Sequence, residues 1–212
     1  ETLSCVLAEV LPPGAPIAVL SGPSFAQEVY ERQPTAVVVA AGDHAVAQRV
    51  QQVFSCGYFR VYSHTDVLGV ELGGALKNVI ALAAGILEGL GLGHNARAAL
   101  ITRGLAEITR LGVALGADPM TFAGLAGMGD LILTATGALS RNRTLGVELG
   151  QGKRLDEALA GRKSVAEGVT TARSAVALGQ RHGVELPIAR EVAEILFQGK
   201  SPRQAVADLM ER

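Results

Sequence analysis

Apolar residues recur along this chain with two different spacings, and the change from one to the other divides it. Leu3, Val6, Leu7, Val10 and Leu11 fall at i, i+3, i+4, i+7 and i+8, one face of a helix over residues 2–11 that Pro12-Pro13-Gly14 ends. Residues 17–20 and 35–41 are continuous apolar runs bounded by turn residues, the pattern of strands covered on both faces. Residues 43–54 read as a helix, and 58–62 alternate, Phe59 and Val61 against Arg60, as an edge strand does. Strand-helix-strand order over residues 1–64 predicts part of an α/β sheet. Because the chain opens at Glu1 inside a helix, further chain is expected upstream.

Over residues 65–212 the helical spacing takes over and no strand pattern recurs. Residues 66–90 can form one long helix, and Asn95 is a suitable N-cap for the next, ended by Gly116. Further helices are expected near 121–135, 140–150, 155–160, 168–182, 188–198 and 202–211, with Pro187 and Pro202 near starts and Gly183 and Gly199 at ends. The expectation is the tail of an α/β domain (1–64) followed by an all-α domain (65–212).

Composition narrows the class. The 212 residues carry 19 Lys plus Arg against 20 Asp plus Glu, with 49% hydrophobic and 18% charged. That is too apolar for disorder, and a net charge of −1 argues against a nucleic-acid or acidic-membrane partner. The apolar run over 79–87 is far short of the roughly 20 residues a spanning helix needs, and no signal peptide pattern is present. Cys5 and Cys56 fit neither a disulfide framework nor a metal site, so a reducing cytoplasm is expected. His44, His64, His94 and His182 show no ligand spacing, and no metal is expected.

Four segments could carry chemistry. On a helix, Lys77 has Gly73, Gly74, Ala81 and Ala84 as its neighbours, with Asn78 beside it. Two mid-helix glycines cost about 1 kcal/mol each relative to Ala, so something must offset them. That is either a tight helix-helix contact with Lys77 reaching out to water, or a ligand approaching a lysine that can exchange a proton. In Ser21-Gly22-Pro23-Ser24 a strand turns into a short helix with Pro23 at its first position; this is a plain turn or an anion site. Asp130, after Gly127-Met128-Gly129, reads in isolation as a helix cap. Ser140 is a good N-cap, and Arg141 and Asn142 in the first turn suit a bound phosphate or solvent. Glu167 before Gly168 is a weak signal by itself. No GxGxxG occurs in the chain.

Taken in order, SGPSFAQEV, VELGGALKNVIALAAGI, NARAALITRGLAEI, AGLAGMGDLILTATG, LSRNR and VAEGVTTA closely resemble bacterial NAD(P)-dependent glycerol-3-phosphate dehydrogenases over essentially the whole chain. The resemblance implies the C-terminal part of a Rossmann-type sheet, then an all-α domain of the 6-phosphogluconate-dehydrogenase C-terminal type. It implies a cytoplasmic oxidoreductase that interconverts dihydroxyacetone phosphate and sn-glycerol 3-phosphate with NADP or NAD and feeds phospholipid synthesis. Lys77 matches the catalytic lysine and also contacts substrate. Gly22, Ser24, Asn78, Asp130, Thr134, Ser140, Arg141 and Asn142 match substrate-binding positions; Ala26, Arg141, Val165 and Glu167 match cofactor-binding ones. The family's nucleotide fingerprint and a further substrate-binding lysine are expected upstream of Glu1, so this stretch alone is expected to bind cofactor poorly and turn over little. The expected partner is a small phosphate substrate, with no nucleic acid and no membrane span. An apolar helical domain suits a homodimer, though oligomeric state and NADP-versus-NAD preference stay open. Two other readings remain: a dehydrogenase of this architecture acting on another hydroxy acid or phosphosugar, and a helical dimerisation or binding module.

Overall fold

Residues 2–161 and 165–211 are described in a computed structural model of the chain. Helix α1 (Leu3–Val10) precedes a mixed three-stranded sheet of order β1-β2-β3, with α2 and α3 in its connections. The elements are β1 (Val19–Ser21), α2 (Ala26–Tyr30), β2 (Thr35–Ala40), α3 (His44–Phe54) and β3 (Phe59–His64). The central strand β2 pairs antiparallel with β1, Val19 opposite Ala40, and parallel with β3, Thr35 opposite Phe59. Its unbroken apolar sequence is explained by cover on both faces. Val37 and Val39 pack with Ala47 of α3 and with Val61, while Ala40 packs on the opposite side with Val70 and Ala126. The stripe of α1 behaves otherwise: none of its residues is buried, and the Ser4 backbone N–H holds it to Glu71 Oε1 at 2.7 Å.

The remaining elements are α4 (Val67–Gly89), α5 (His94–Ala114), α6 (Pro119–Ala123), a π turn (Leu125–Gly129), α7 (Asp130–Thr136), α8 (Arg141–Gly150), α9 (Leu155–Leu159), α10 (Gly168–His182), α11 (Pro187–Gln198) and α12 (Pro202–Met210). Helix α4 is the axis, with α5, α7, α8, α10 and α11 packed around it over Val79, Ile80, Leu82 and Ile86. By length and composition this 23-residue helix could cross a membrane, but 72% of its most apolar window is buried inside the fold. Its start is fixed by Asp66, whose carboxylate accepts from Gly69 N at 2.8 Å, Asp118 N at 3.0 Å and Thr121 Oγ1 at 2.7 Å. Buried Glu107 of α5 serves the first turn of α11 in the same way, accepting from Ile188 N at 2.7 Å and Ala189 N at 3.3 Å.

Three local expectations are corrected. Asn95 does not cap α5: the cap lies two residues earlier, at Gly93, and Asn95 is inside the first turn. Residues 121–135 are not one helix. Gly124 is extended, at φ −92° and ψ −162°, and the next five residues wind as a π turn closed by Gly129 N to Gly124 O at 3.1 Å. Pro23 does not open α2, which starts at Ala26 after a loop.

The closest approach in the helical part lies between α4 and α8. A Cβ built on Gly85 would sit 2.0 Å from Arg143 O, and one on Gly89 2.3 Å from Val147 O. Reciprocally, a Cβ on Gly146 would be 2.2 Å from Leu82 O, and one on Gly150 2.4 Å from Ile86 O. Two GxxxG faces thus meet backbone to backbone, and no side chain can be added without moving a helix. We predict that Gly85→Val destabilises the fold by about 3 kcal/mol or more through overpacking, read as a lowered urea midpoint. Gly42→Ala, at a position with nothing within 4 Å of a new Cβ, is expected to change stability by less than about 0.5 kcal/mol.

Candidate active site

The turn after β1, helices α2, α4 and α7, the first turn of α8 and the residue before α10 line a cavity of about 640 Å³. Its sheet-side wall starts at Gly22, where φ is +139° and a Cβ would meet Val37 Cα at 2.9 Å. Only glycine allows the chain to leave β1 in that direction. The turn is then tied by Ser24 Oγ donating to Gly22 O at 3.0 Å.

The floor is an ion pair between Lys77 Nζ of α4 and Asp130 Oδ2 at the first residue of α7. Asp130 is buried, at 3% side-chain exposure, whereas Lys77 keeps 19% and lines the cavity. Thr134 Oγ1 donates to Asp130 O at 2.7 Å and Oδ1 at 3.3 Å, and Ser21 Oγ lies 3.5 Å from Oδ2. Burial raises the Asp130 carboxyl above the usual aspartate range, although Lys77, Thr134 and the Gly22 backbone N–H each pull it down. Asp130 is therefore not a helix cap: Gly129 occupies the cap position, and the carboxylate is spent on a lysine on another helix. The small residues around Lys77 turn out to serve packing. A Cβ on Gly73 would strike Ala126 O at 2.5 Å, and one on Gly74 would meet Ser21 Oγ at 2.9 Å. The close contact and the cavity lysine, set against each other as alternatives above, occur together on one helix.

The far wall is the start of α8. Ser140 caps it, accepting from Arg143 N at 3.2 Å. The two arginines of LSRNR have separate fates. Arg143 is clamped by Glu88, with Nε at 3.1 Å from Oε2 and Nη2 at 2.6 Å from Oε1, while Arg97 holds the same carboxylate at 3.0 Å. Arg141 lines the cavity and pairs with Glu167 Oε1 at 2.7 Å, both side chains about half exposed. Asn142 is buried and lies between Asn78 and the Gly168 backbone.

Of the residues singled out in the sequence, Gly22, Ser24, Ala26, Lys77, Asn78, Asp130, Thr134, Ser140, Arg141, Asn142 and Glu167 all line this one cavity. Val165 does not: it is exposed and absent from the lining. Phe25, Gln27, Leu133 and Leu139 line it as well and were missed. Each neighbours a singled-out residue, and Leu133 lies one turn beyond Asp130, so helical spacing could have found it. Among the described residues no group of three or more His, Cys, Asp or Glu could hold a metal ion.

Comparisons with known proteins agree along the chain. The family model for the NAD-dependent glycerol-3-phosphate dehydrogenase C-terminus matches residues 66–207, and that for the N-terminus matches residues 1–47. Glycerol-3-phosphate dehydrogenase (NAD(P)+) of Geobacter sulfurreducens is 62% identical over 213 residues, covering 100% of this chain and 64% of the relative. That of Streptomyces griseus is 54% identical, covering 100% of this chain and 63% of the relative. The solved glycerol-3-phosphate dehydrogenase from Coxiella burnetii superposes with a TM-score of 0.96 at 44% identity, over 100% of this chain and 65% of that one. The Saccharomyces cerevisiae structure gives 0.85 at 29% identity, over 99% of this chain and 62% of that one. The chain thus spans just under two thirds of the length of these relatives.

The buried carboxylate makes stability depend on pH with a definite sign. Its folded-state value lies above the ordinary 3.8, so the folded chain holds that proton more tightly than the unfolded one. The associated stability is present below 3.8 and is lost as pH rises through the folded value. Wild type is therefore expected to lose stability relative to Asp130→Asn as pH rises above 3.8, measured by urea unfolding at each pH. A wild-type margin that grows with pH would contradict this.

Proposed function

The chain belongs to the NAD-dependent glycerol-3-phosphate dehydrogenase family, and from that premise we propose that the protein interconverts dihydroxyacetone phosphate and sn-glycerol 3-phosphate in the cytoplasm, with NADP or NAD, for phospholipid synthesis. The observation that carries this reading is the Lys77–Asp130 pair in a cavity with a cationic far side at Arg141.

In the reducing direction Lys77 donates a proton to the carbonyl oxygen; in the oxidising direction its Nζ accepts the hydroxyl proton. Asp130 holds Nζ in position, and its own burial keeps water from competing for the lysine. Arg141 and the capped start of α8 bind the phosphate end, where the guanidinium and the helix N–H groups act on the same anion.

The cavity fits the nicotinamide end of the cofactor. A volume of about 640 Å³ is in the range of ligand pockets and exceeds what a three-carbon phosphate fills. Ala26, whose small side chain leaves room in the wall, Arg141 and Glu167 line the remaining space. They are the residues assigned to it; Val165, which the resemblance also assigns to the cofactor, is exposed and does not line the cavity. Bound there, the nicotinamide supplies or takes the hydride at the reacting carbon.

The test is kinetic, on the complete polypeptide with dihydroxyacetone phosphate and NADPH. Lys77→Ala is expected to lower kcat by about 10²–10⁴-fold, the usual share of general acid-base catalysis. Arg141→Ala should mainly raise KM for the phosphate. Turnover near that of wild type in Lys77→Ala would refute the proposed role, and a panel of larger phosphosugars and hydroxy acids tests the substrate.

A further inference from the structure

The Asn142 amide has neighbours that fix which way round it lies. The Gly168 backbone N–H reaches its Oδ1 at 2.9 Å. A peptide N–H can only donate, so Asn142 must turn its oxygen to Gly168 and its NH2 elsewhere. That NH2 donates to Asn78 Oδ1 at 3.0 Å. Asn78 is then fixed in turn: its oxygen is engaged by Asn142, and its NH2 points the other way, with Gly74 O at 3.4 Å. An amide nitrogen has two hydrogens and this long contact takes one, leaving the other for the cavity that Asn78 lines beside Lys77. The start of the chain of bonds is rigid. A Cβ on Gly168 would lie 2.6 Å from Asn78 O and 2.9 Å from Asn142 Oδ1, so α10 meets α4 and Asn142 at backbone contact.

We propose that the Gly168 N–H, acting through Asn142, locks Asn78 as a hydrogen-bond donor at the reacting oxygen, so that with Lys77 it presents two donors to a group that can only accept, the ketone of dihydroxyacetone phosphate. Toward the reacting oxygen Asn142 acts as a positioning residue, through Asn78, although both line the cavity. The proposal rests on the dehydrogenase reading above and adds what sets the site's polarity.

The test compares two ligands of equal charge that differ at that oxygen. A ketone can only accept a hydrogen bond, whereas the hydroxyl of sn-glycerol 3-phosphate can also donate one. In Asn142→Asp, one carboxylate oxygen keeps the Gly168 bond and the other faces Asn78, which must rotate to donate and so turns its oxygen to the cavity. Asn78→Asp puts an acceptor there directly. Binding is measured by calorimetry on the complete polypeptide, dihydroxyacetone phosphate and sn-glycerol 3-phosphate each with the same redox-inert tetrahydro analogue of NADPH, so that neither pair can react and the cofactor charge is identical in both. Any repulsion from the added charge cancels in the ratio of the two Kd values. In both Asp variants the ratio, ketone over alcohol, is expected to rise about tenfold, the equivalent of one hydrogen bond. Asn142→Ala frees Asn78 without reversing it and should leave the ratio unchanged. An unchanged ratio in a folded Asn142→Asp protein overturns the proposal; if that variant does not fold, an unchanged ratio in Asn78→Asp does so. A shift in Asn142→Ala as large as in Asn142→Asp also overturns it, by reducing Asn142 to a merely structural role. Wild type that binds neither phosphate refutes the dehydrogenase reading instead.

Discussion

The site depends on α4 and α8 touching backbone to backbone. Gly85 and Gly89 on one helix and Gly146 and Gly150 on the other remove the side chains that would keep the axes apart. That contact brings the first turn of α8 beside the middle of α4, so Ser140, Arg141 and Asn142 share a cavity with Lys77 and Asn78. The Glu88–Arg143 clamp fastens the same pair of helices from the side. Elsewhere the helical core is ordinary aliphatic packing, which tolerates exchange of similar volumes. The glycine seam tolerates nothing larger, because what lies opposite each glycine is a carbonyl or Cα of the facing helix.

Charges in the site are arranged by degree of burial. Asp130, the most enclosed, is matched to a lysine and to neutral donors, since an unpaired carboxylate there would cost several kcal/mol. Arg141 and Glu167 sit half exposed at the edge, where a pair is worth at most about 1 kcal/mol and is readily exchanged for another anion. Arg143, only two residues along from Arg141, is committed to structure. Position along one helical turn thus separates an arginine that can meet a ligand from one that holds the fold.

Much of this was legible in the sequence because apolar spacing reports which face is covered. The strands β2 and β3 and the helices α3, α4, α8, α10, α11 and α12 fall within a residue or two of where that spacing puts them. The break at Gly124 was not legible: small residues there satisfy a continuous helix equally well, and what decides is distant, Ala126 O seated against Gly73 and Phe122 filling the space at Gly112. The same holds for Asp130, whose local pattern says cap and whose partner lies 53 residues away. The glycine excess was visible, but the pairing of two four-residue glycine spacings on different helices appears only once the helices are side by side. For α1 the stripe was correctly read as helical, yet spacing cannot report that the face stays exposed.

The π turn at Leu125–Gly129 gives the site an integer property. A π turn holds one more residue than the α turn it replaces, and α7 begins directly where it ends. Wind the same residues as ordinary α-helix and the surplus residue turns everything after it by about 100° about the axis. Asp130 would then face a different side of α7 from Lys77. The pair is therefore indexed by a count rather than tuned by a distance: five residues bring Asp130 round to Lys77 when they wind as a π turn, and one fewer would be needed in an α turn.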